Sequence, residues 1–156
     1  NLSSLIAPER VKARSSAKHY KGALEGLSLR LTPNVSPQLR GDIFSGMLQR
    51  ENLGSTALGN GAAMPHTHLS DVTTTSLAIM TLAEPITYSD EPVDIIVGIL
   101  LPDIIEQGHF TLLKQLKSLL LNEKFCDALR AAEDSKSLYN TILNVSEFNL
   151  SSAETS

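Results

Sequence analysis

Leu24, Leu27 and Leu31 follow Tyr20 at three- and four-residue intervals, and this stripe predicts an amphipathic helix over residues 18–31 with one face buried. Gly22 and Gly26 weaken it. Ser36 followed by Pro37 has the form of a helix start, because serine can accept from exposed first-turn amides and proline fits that turn. The helix it opens carries Leu39, Ile43, Phe44, Met47 and Leu48 on one face and is expected to end at residues 50–53, ahead of Gly54. Arg50 and Glu51 therefore fall at its C-terminal end.

The period changes after a loop rich in Gly, Ser and Thr at residues 54–61. Residues 62–66 read as a short extended segment closing on Pro65-His66, since proline cannot continue a ladder. Residues 75–82 read as a strand with apolar residues on both faces. Residues 94–101 form an apolar, β-branched run halted by Pro102. Such strands are central ones, and their covers must be helices. Residues 110–121 supply one, with Leu112, Leu113, Leu116, Leu119 and Leu120 on a broad face. Asn122 can cap a second carrying Phe125 and Leu129, and Asp134 or Ser135 a third carrying Leu138, Tyr139, Ile142 and Leu143. Residues 1–17 read as a polar start and residues 149–156 as a loose polar tail. Two helices, several strands and three more helices describe an α/β sandwich within residues 1–148.

With 156 residues, 42% of them hydrophobic, the chain suits a single domain. Its formal charge is -4 and its 13 basic residues are scattered, so nucleic acid is not an expected partner. The single cysteine, Cys126, excludes an internal disulfide and reads as a buried thiol suited to a reducing cytoplasm. The apolar run at residues 95–101 is far below the roughly 18 residues of a membrane helix, and the N-terminus lacks a signal-peptide segment. A cytoplasmic protein without membrane insertion is expected.

Candidate chemistry concentrates between Arg50 and His68. Gly59, Gly61, Ala62 and Ala63 leave backbone amides uncovered, Ser55 and Thr56 add hydroxyls, and Arg50 offers a planar fork suited to phosphate oxygens. His66 supplies an imidazole whose nitrogen can attack a phosphoryl group, provided fixed donors surround the adduct and a partner orients the ring. Ser55, Thr56, Gly59, Asn60 and Gly61 are the expected phosphoryl-binding residues, with Arg50. His109 precedes the leucine-rich helix, where free amides and the helix dipole favour a phosphoryl group. The loop lacks a Gly-Lys-Ser/Thr ending and a preceding strand, so neither direct ATP use nor a cofactor is expected.

Arg50-Glu51, Leu53-Gly54-Ser55-Thr56, Gly59-Asn60-Gly61 and Pro65-His66 resemble the active-site signature of fructose/mannitol-type enzyme IIA domains of the bacterial phosphotransferase system, and their wording leans towards its nitrogen-related branch. The resemblance extends over about residues 5–145. It implies a mixed sheet flanked by helices on both faces and a histidine phosphocarrier, a phosphotransferase component. His66 would be phosphorylated, Arg50 would support the phosphoryl group, and His109 would be the hydrogen-bonding second histidine that orients the ring. The donor would be the small histidine-containing phosphocarrier protein, and the recipient a permease domain or a regulatory target protein. Ala57 stands where the family usually has glycine, Ala62 and Met64 replace larger aliphatics, and Thr67-His68 follow where glycine is common. His68, two residues beyond His66, is expected to point to the opposite side of an extended backbone and lie outside the site.

The bland alternatives are a surface or satisfied-core His66, a helix-start His109 bonded to a carbonyl, and an Arg50 paired with Glu51 or Asp42. A rival chemistry is metal binding by His66, His68 and His109, for which no fourth carboxylate or thiol ligand is evident. Because the first residue is Asn1 and not methionine, an excised domain of a sugar-system transcription regulator is a further reading beside the transport and regulatory ones.

Overall fold

The computed structural model describes residues 2–31, 37–104 and 106–145. In chain order it forms β1 (Val11–Ser15), α1 (Tyr20–Leu31), α2 (Pro37–Leu53), β2 (Ala62–Ala63), β3 (His66–Leu69), β4 (Ser76–Tyr88), β5 (Glu91–Pro102), α3 (Gln107–Leu120), α4 (Glu123–Ala131) and α5 (Ser135–Leu143), after two short 3-10 turns. β4 and β5 make an antiparallel hairpin at the centre of the sheet. β1 runs parallel to β4 on one side, and β2 and β3 follow one another parallel to β5 on the other.

Apolar residues on alternate positions of β4 and β5 divide between two cores. Leu77, Ile79, Ile95, Val97, Ile99 and Leu101 pack with the buried faces of α3, α4 and α5. Ala78, Met80, Ile96 and Leu100 pack with Leu24, Leu27, Ile43 and Met47 of α1 and α2. A strand buried on both faces has no polar side to alternate with, which is why both central strands read as continuous apolar runs. The result is an α/β/α sandwich on a mixed sheet, as the sequence and the resemblance both led us to expect.

The helix ends follow their capping chemistry. The Asn122 side chain accepts from the Phe125 amide at 3.0 Å and the Asp134 side chain from the Ser137 amide at 2.7 Å. Cys126 is buried and its thiol donates to the Leu120 carbonyl at 3.0 Å, while burial pushes its pKa up. Ser36 and residues 149–156 lie outside the described residues, so the expected serine cap and tail do too.

Three readings need correction. Residues 11–15 form a strand where a polar start was expected; Val11 and Ala13 are buried, but Lys12 and Arg14 between them leave too short an alternation to stand out. The extended segment at residues 62–66 is two strands, because Met64 and Pro65 interrupt it. α3 starts at Gln107, ahead of the expected start at Phe110, which is 56% exposed and belongs to the surface. Among the described residues no helix is long and apolar enough to cross a membrane.

Candidate functional site

Three elements converge at the start of β3. α2 packs directly on that strand because Gly46 has no side chain: a Cβ there would collide with the Thr67 side chain. This close approach brings Arg50, near the end of α2, alongside His66, the first residue of β3. The first turn of α3 adds His109 from the far side. Arg50, His66 and His109 line one open cleft of about 610 Å³, rimmed by Leu53 and Phe110.

Each imidazole has its tautomer set by a backbone partner. His66 Nδ1 lies 3.0 Å from the Met64 carbonyl oxygen. A carbonyl can only accept, so Nδ1 carries the proton and Nε2 keeps its lone pair. His109 is the reverse case: its Nδ1 accepts from the Glu106 amide at 3.0 Å, which places the proton of the neutral ring on Nε2. The cleft thus holds one imidazole with an unprotonated Nε2 and another with an Nε2–H donor, and the partner that orients the His66 ring is the Met64 carbonyl, not His109 as expected. The His109 amide in turn donates to the Glu106 carbonyl at 3.0 Å, fixing the ring in the first turn of α3, where the helix dipole favours negative charge.

Arg50 Nη1 donates to the Gly54 carbonyl at 2.8 Å, satisfying an orphan acceptor beyond the end of α2. Among the described residues no carboxylate pairs with Arg50, so the ion pairs considered with Glu51 and Asp42 are not formed. Arg50 and His66 also line a neighbouring depression of about 360 Å³ that holds Ser55, Thr56, Lys114 and Lys117. Ser55 is exposed and its hydroxyl accepts from the Ala57 amide at 3.0 Å.

Thr56 is buried, and its hydroxyl is bound to the Glu51 carboxylate and lies 3.0 Å from the Tyr88 hydroxyl. Gly59, Asn60 and Gly61 are not brought to His66. They form a tight turn between the bridged residues Ala57 and Ala63 and line a separate depression with Asp94 and Arg130. The Asn60 amide group donates to the Leu120 carbonyl at 2.7 Å, and Arg130 Nη2 donates to the Asn60 carbonyl at 3.2 Å. Gly61 has φ of 90°, and a Cβ there would lie 2.7 Å from Arg130 Nη2. These glycines answer to a turn that must close against an Arg130–Asp94 ion pair with contacts of 3.0 Å.

His68 corrects its expectation outright. Residues two apart on a strand share a face, and His68 lines the same cleft as His66. Its Nδ1 is 2.7 Å from Asp103 Oδ1, with both side chains about half exposed. Among the described residues no group of three or more His, Cys, Asp or Glu could hold a metal ion. Lys114 and Lys117 escaped the sequence reading, although their spacing from Phe110 puts all three on one side of α3 facing His66.

The sequence profile of the family described as "Phosphoenolpyruvate-dependent sugar phosphotransferase system, EIIA 2" matches residues 4–145. The nitrogen regulatory protein of Pseudomonas aeruginosa is 31% identical over 150 residues, which cover 92% of this chain and 96% of that protein. The crystal structure of nitrogen regulatory protein IIA-Ntr from Neisseria meningitidis superposes with a TM-score of 0.79 at 22% identity, over 90% of this chain and 97% of that one. Enzyme IIA of the Escherichia coli mannitol system, solved in complex with phosphorylated enzyme IIB, superposes with a TM-score of 0.69 at 18% identity, over 90% and 99%.

Proposed function

The chain belongs to the EIIA 2 family of the phosphoenolpyruvate-dependent phosphotransferase system, and from that premise we propose that it is a phosphohistidine carrier of the nitrogen-regulatory kind, loaded at Nε2 of His66. The observation that carries this reading is the 3.0 Å bond between His66 Nδ1 and the Met64 carbonyl. It leaves one ring nitrogen with a lone pair, on a half-buried ring in an open cleft.

The donor is the small histidine-containing phosphocarrier protein, carrying its own phosphohistidine. His66 Nε2 attacks the phosphorus in line; the new N–P bond forms as the donor's N–P bond breaks, and the departing nitrogen recovers its electron pair. The proton stays on His66 Nδ1, hydrogen-bonded to the Met64 carbonyl, throughout. During transfer the equatorial oxygens carry dispersed negative charge, which needs donors already in place. His109 Nε2–H and the Arg50 guanidinium, with Lys114 and Lys117 beyond, supply them. Onward transfer reverses the same geometry.

Leu53 is 85% exposed and Phe110 56%, so the cleft carries an apolar rim against which a protein partner can exclude water. The mannitol-system relative bound to a phosphorylated protein supports docking of this type. Similarity over nearly the full length to nitrogen regulatory proteins favours a regulatory target over a sugar permease as the recipient. Gain of close to two negative charges on His66 would alter that rim electrostatically.

Incubation with phosphoenolpyruvate and the two general phosphotransferase proteins tests the reading. The intact protein should gain the mass of a single phosphoryl group, labile to acid, and His66→Ala should gain none. Full labelling of His66→Ala would refute it.

A further inference from the structure

One carboxylate outside the cleft gathers an unusual number of donors. Glu51, in the last turn of α2, accepts from the Thr56 amide at 3.2 Å, the Thr56 hydroxyl, the Tyr88 hydroxyl at 2.9 Å and the Ser89 hydroxyl at 3.3 Å. A carboxylate at a helix C-terminus faces the negative end of the dipole, so Glu51 is placed against the usual electrostatic preference of that position. Tyr88, the last residue of β4, is fully buried with its ring edge-on to Tyr20 at 5.8 Å. Burial first, and then the charge of Glu51, push its hydroxyl well above the ordinary tyrosine range, so it stays a neutral donor.

The bonds continue from this carboxylate to the imidazole. Thr56 receives the Met64 amide on its carbonyl at 3.0 Å, and the Met64 carbonyl receives His66 Nδ1 at 3.0 Å. Glu51, Thr56, Met64 and His66 therefore form a series of residues in which Thr56 and Met64 each donate through their N–H on the Glu51 side and accept on their C=O from the His66 side. The N–H and C=O of one residue sit on either side of its Cα, so the coupling is positional: each bond fixes the backbone of Thr56 or Met64 that presents the next, and loosening one end loosens the other.

We propose that Glu51 and Tyr88 are positioning residues for His66, holding its ring in the Nδ1–H tautomer through Thr56 and Met64. This rests on the phosphocarrier reading for its kinetic consequence and on the hydrogen bonds alone for its structural one. Neither residue touches the phosphoryl group. Glu51 accepts from four donors through its two oxygens, both of which face the Thr56 N–H, and glutamine cannot replace it without turning an amide donor towards that N–H. The Gly-Ser-Thr stretch after α2 is then an anchored strut behind the imidazole, which accounts for a buried threonine in an otherwise exposed loop.

Two readouts in Tyr88→Phe, Glu51→Gln and Glu51→Asp test the proposal. The first is the ¹⁵N spectrum of His66 in unphosphorylated protein, which reports the tautomer whether or not the chain carries phosphate. The native ring should show a protonated Nδ1 and unprotonated Nε2. Tyr88→Phe and Glu51→Gln should mix the two tautomers, with Glu51→Asp recovering part of the native signal. The second is the rate of phosphoryl uptake as donor is raised to saturation. Here kcat should fall about 10- to 100-fold with little change in KM, the scale on which supporting hydrogen bonds act. Tyr88→Phe deletes a single oxygen and keeps the ring in the core, so it decides the matter if Glu51→Gln does not fold. A cooperatively folded Tyr88→Phe with a native tautomer would overturn the proposal. Absence of phosphate uptake by the native protein would overturn the phosphocarrier reading instead, leaving the spectrum to judge the strut.

Discussion

The Met64 carbonyl oxygen lies 3.0 Å from Nδ1 of His66, so the backbone two residues before the imidazole selects which of its nitrogens can act. His109 is held by the Glu106 amide in the opposite sense. Two histidines in one cleft are thereby suited to different work, one as nucleophile and one as donor.

Removing the donor should slow transfer and leave the acceptor intact. In His109→Ala, uptake of phosphate onto His66 is expected to fall about 10²- to 10³-fold in kcat, as for loss of one preorganised donor to a developing anion. Quench-flow with labelled phosphoenolpyruvate measures it, and the final stoichiometry should be unchanged.

Arg50 should resist its nearest chemical substitute. Lysine keeps the charge but loses the planar fork that bonds Gly54 while presenting further N–H groups. Arg50→Lys is expected to lose about 1.5–3 kcal/mol of transition-state stabilisation, the worth of a hydrogen bond to a charged group. The ratio of kcat/KM for native and variant protein reads this out.

Gly61→Ala separates structural from functional glycines. A methyl at φ of 90°, 2.7 Å from Arg130 Nη2, should cost about 1–3 kcal/mol of stability. Calorimetry should then record a midpoint lower by about 2–4 °C for each kcal/mol lost. Folded Gly61→Ala should load His66 at the native rate, because the turn lies outside the cleft. A large kinetic loss in a stable variant would restore the phosphate-binding role expected from sequence.

The Asp134 cap makes a prediction about acid. Bonds from the Ser137 amide and hydroxyl hold its carboxyl below the usual carboxylate range. A depressed pKa in the folded state contributes stability that is present at neutral pH and lost as pH falls through the folded value. The gap in urea midpoint between native protein and Asp134→Ala should therefore persist at pH 7 and close on acidification. A gap that widened in acid would contradict the assignment.

The helices were legible because each has an apolar stripe, with Asn122 and Asp134 marking the starts of α4 and α5, and the central strands because both their faces are buried. β1 was not, since Lys12 and Arg14 interrupt a strand only five residues long. His66, His109 and Arg50 were legible by residue type and do share a cleft. Gly59, Asn60 and Gly61 misled because glycine serves phosphate cradles and tight turns alike, and the deciding partner, Arg130, stands 70 residues from Asn60. His68 was misplaced by a slip in strand period, which sequence alone could have corrected. Glu51 looked like a surface ion-pair partner because Tyr88, its buried donor, lies on a strand 37 residues away.

Long-range ¹H–¹⁵N and ³¹P spectra of the phosphorylated protein identify the atom that takes the phosphoryl group. Phosphorus is expected on Nε2 of His66, with Nδ1 of that ring still protonated against Met64. Phosphorus on Nδ1 of His66, or on either nitrogen of His68 or His109, would contradict the mechanism drawn from this cleft.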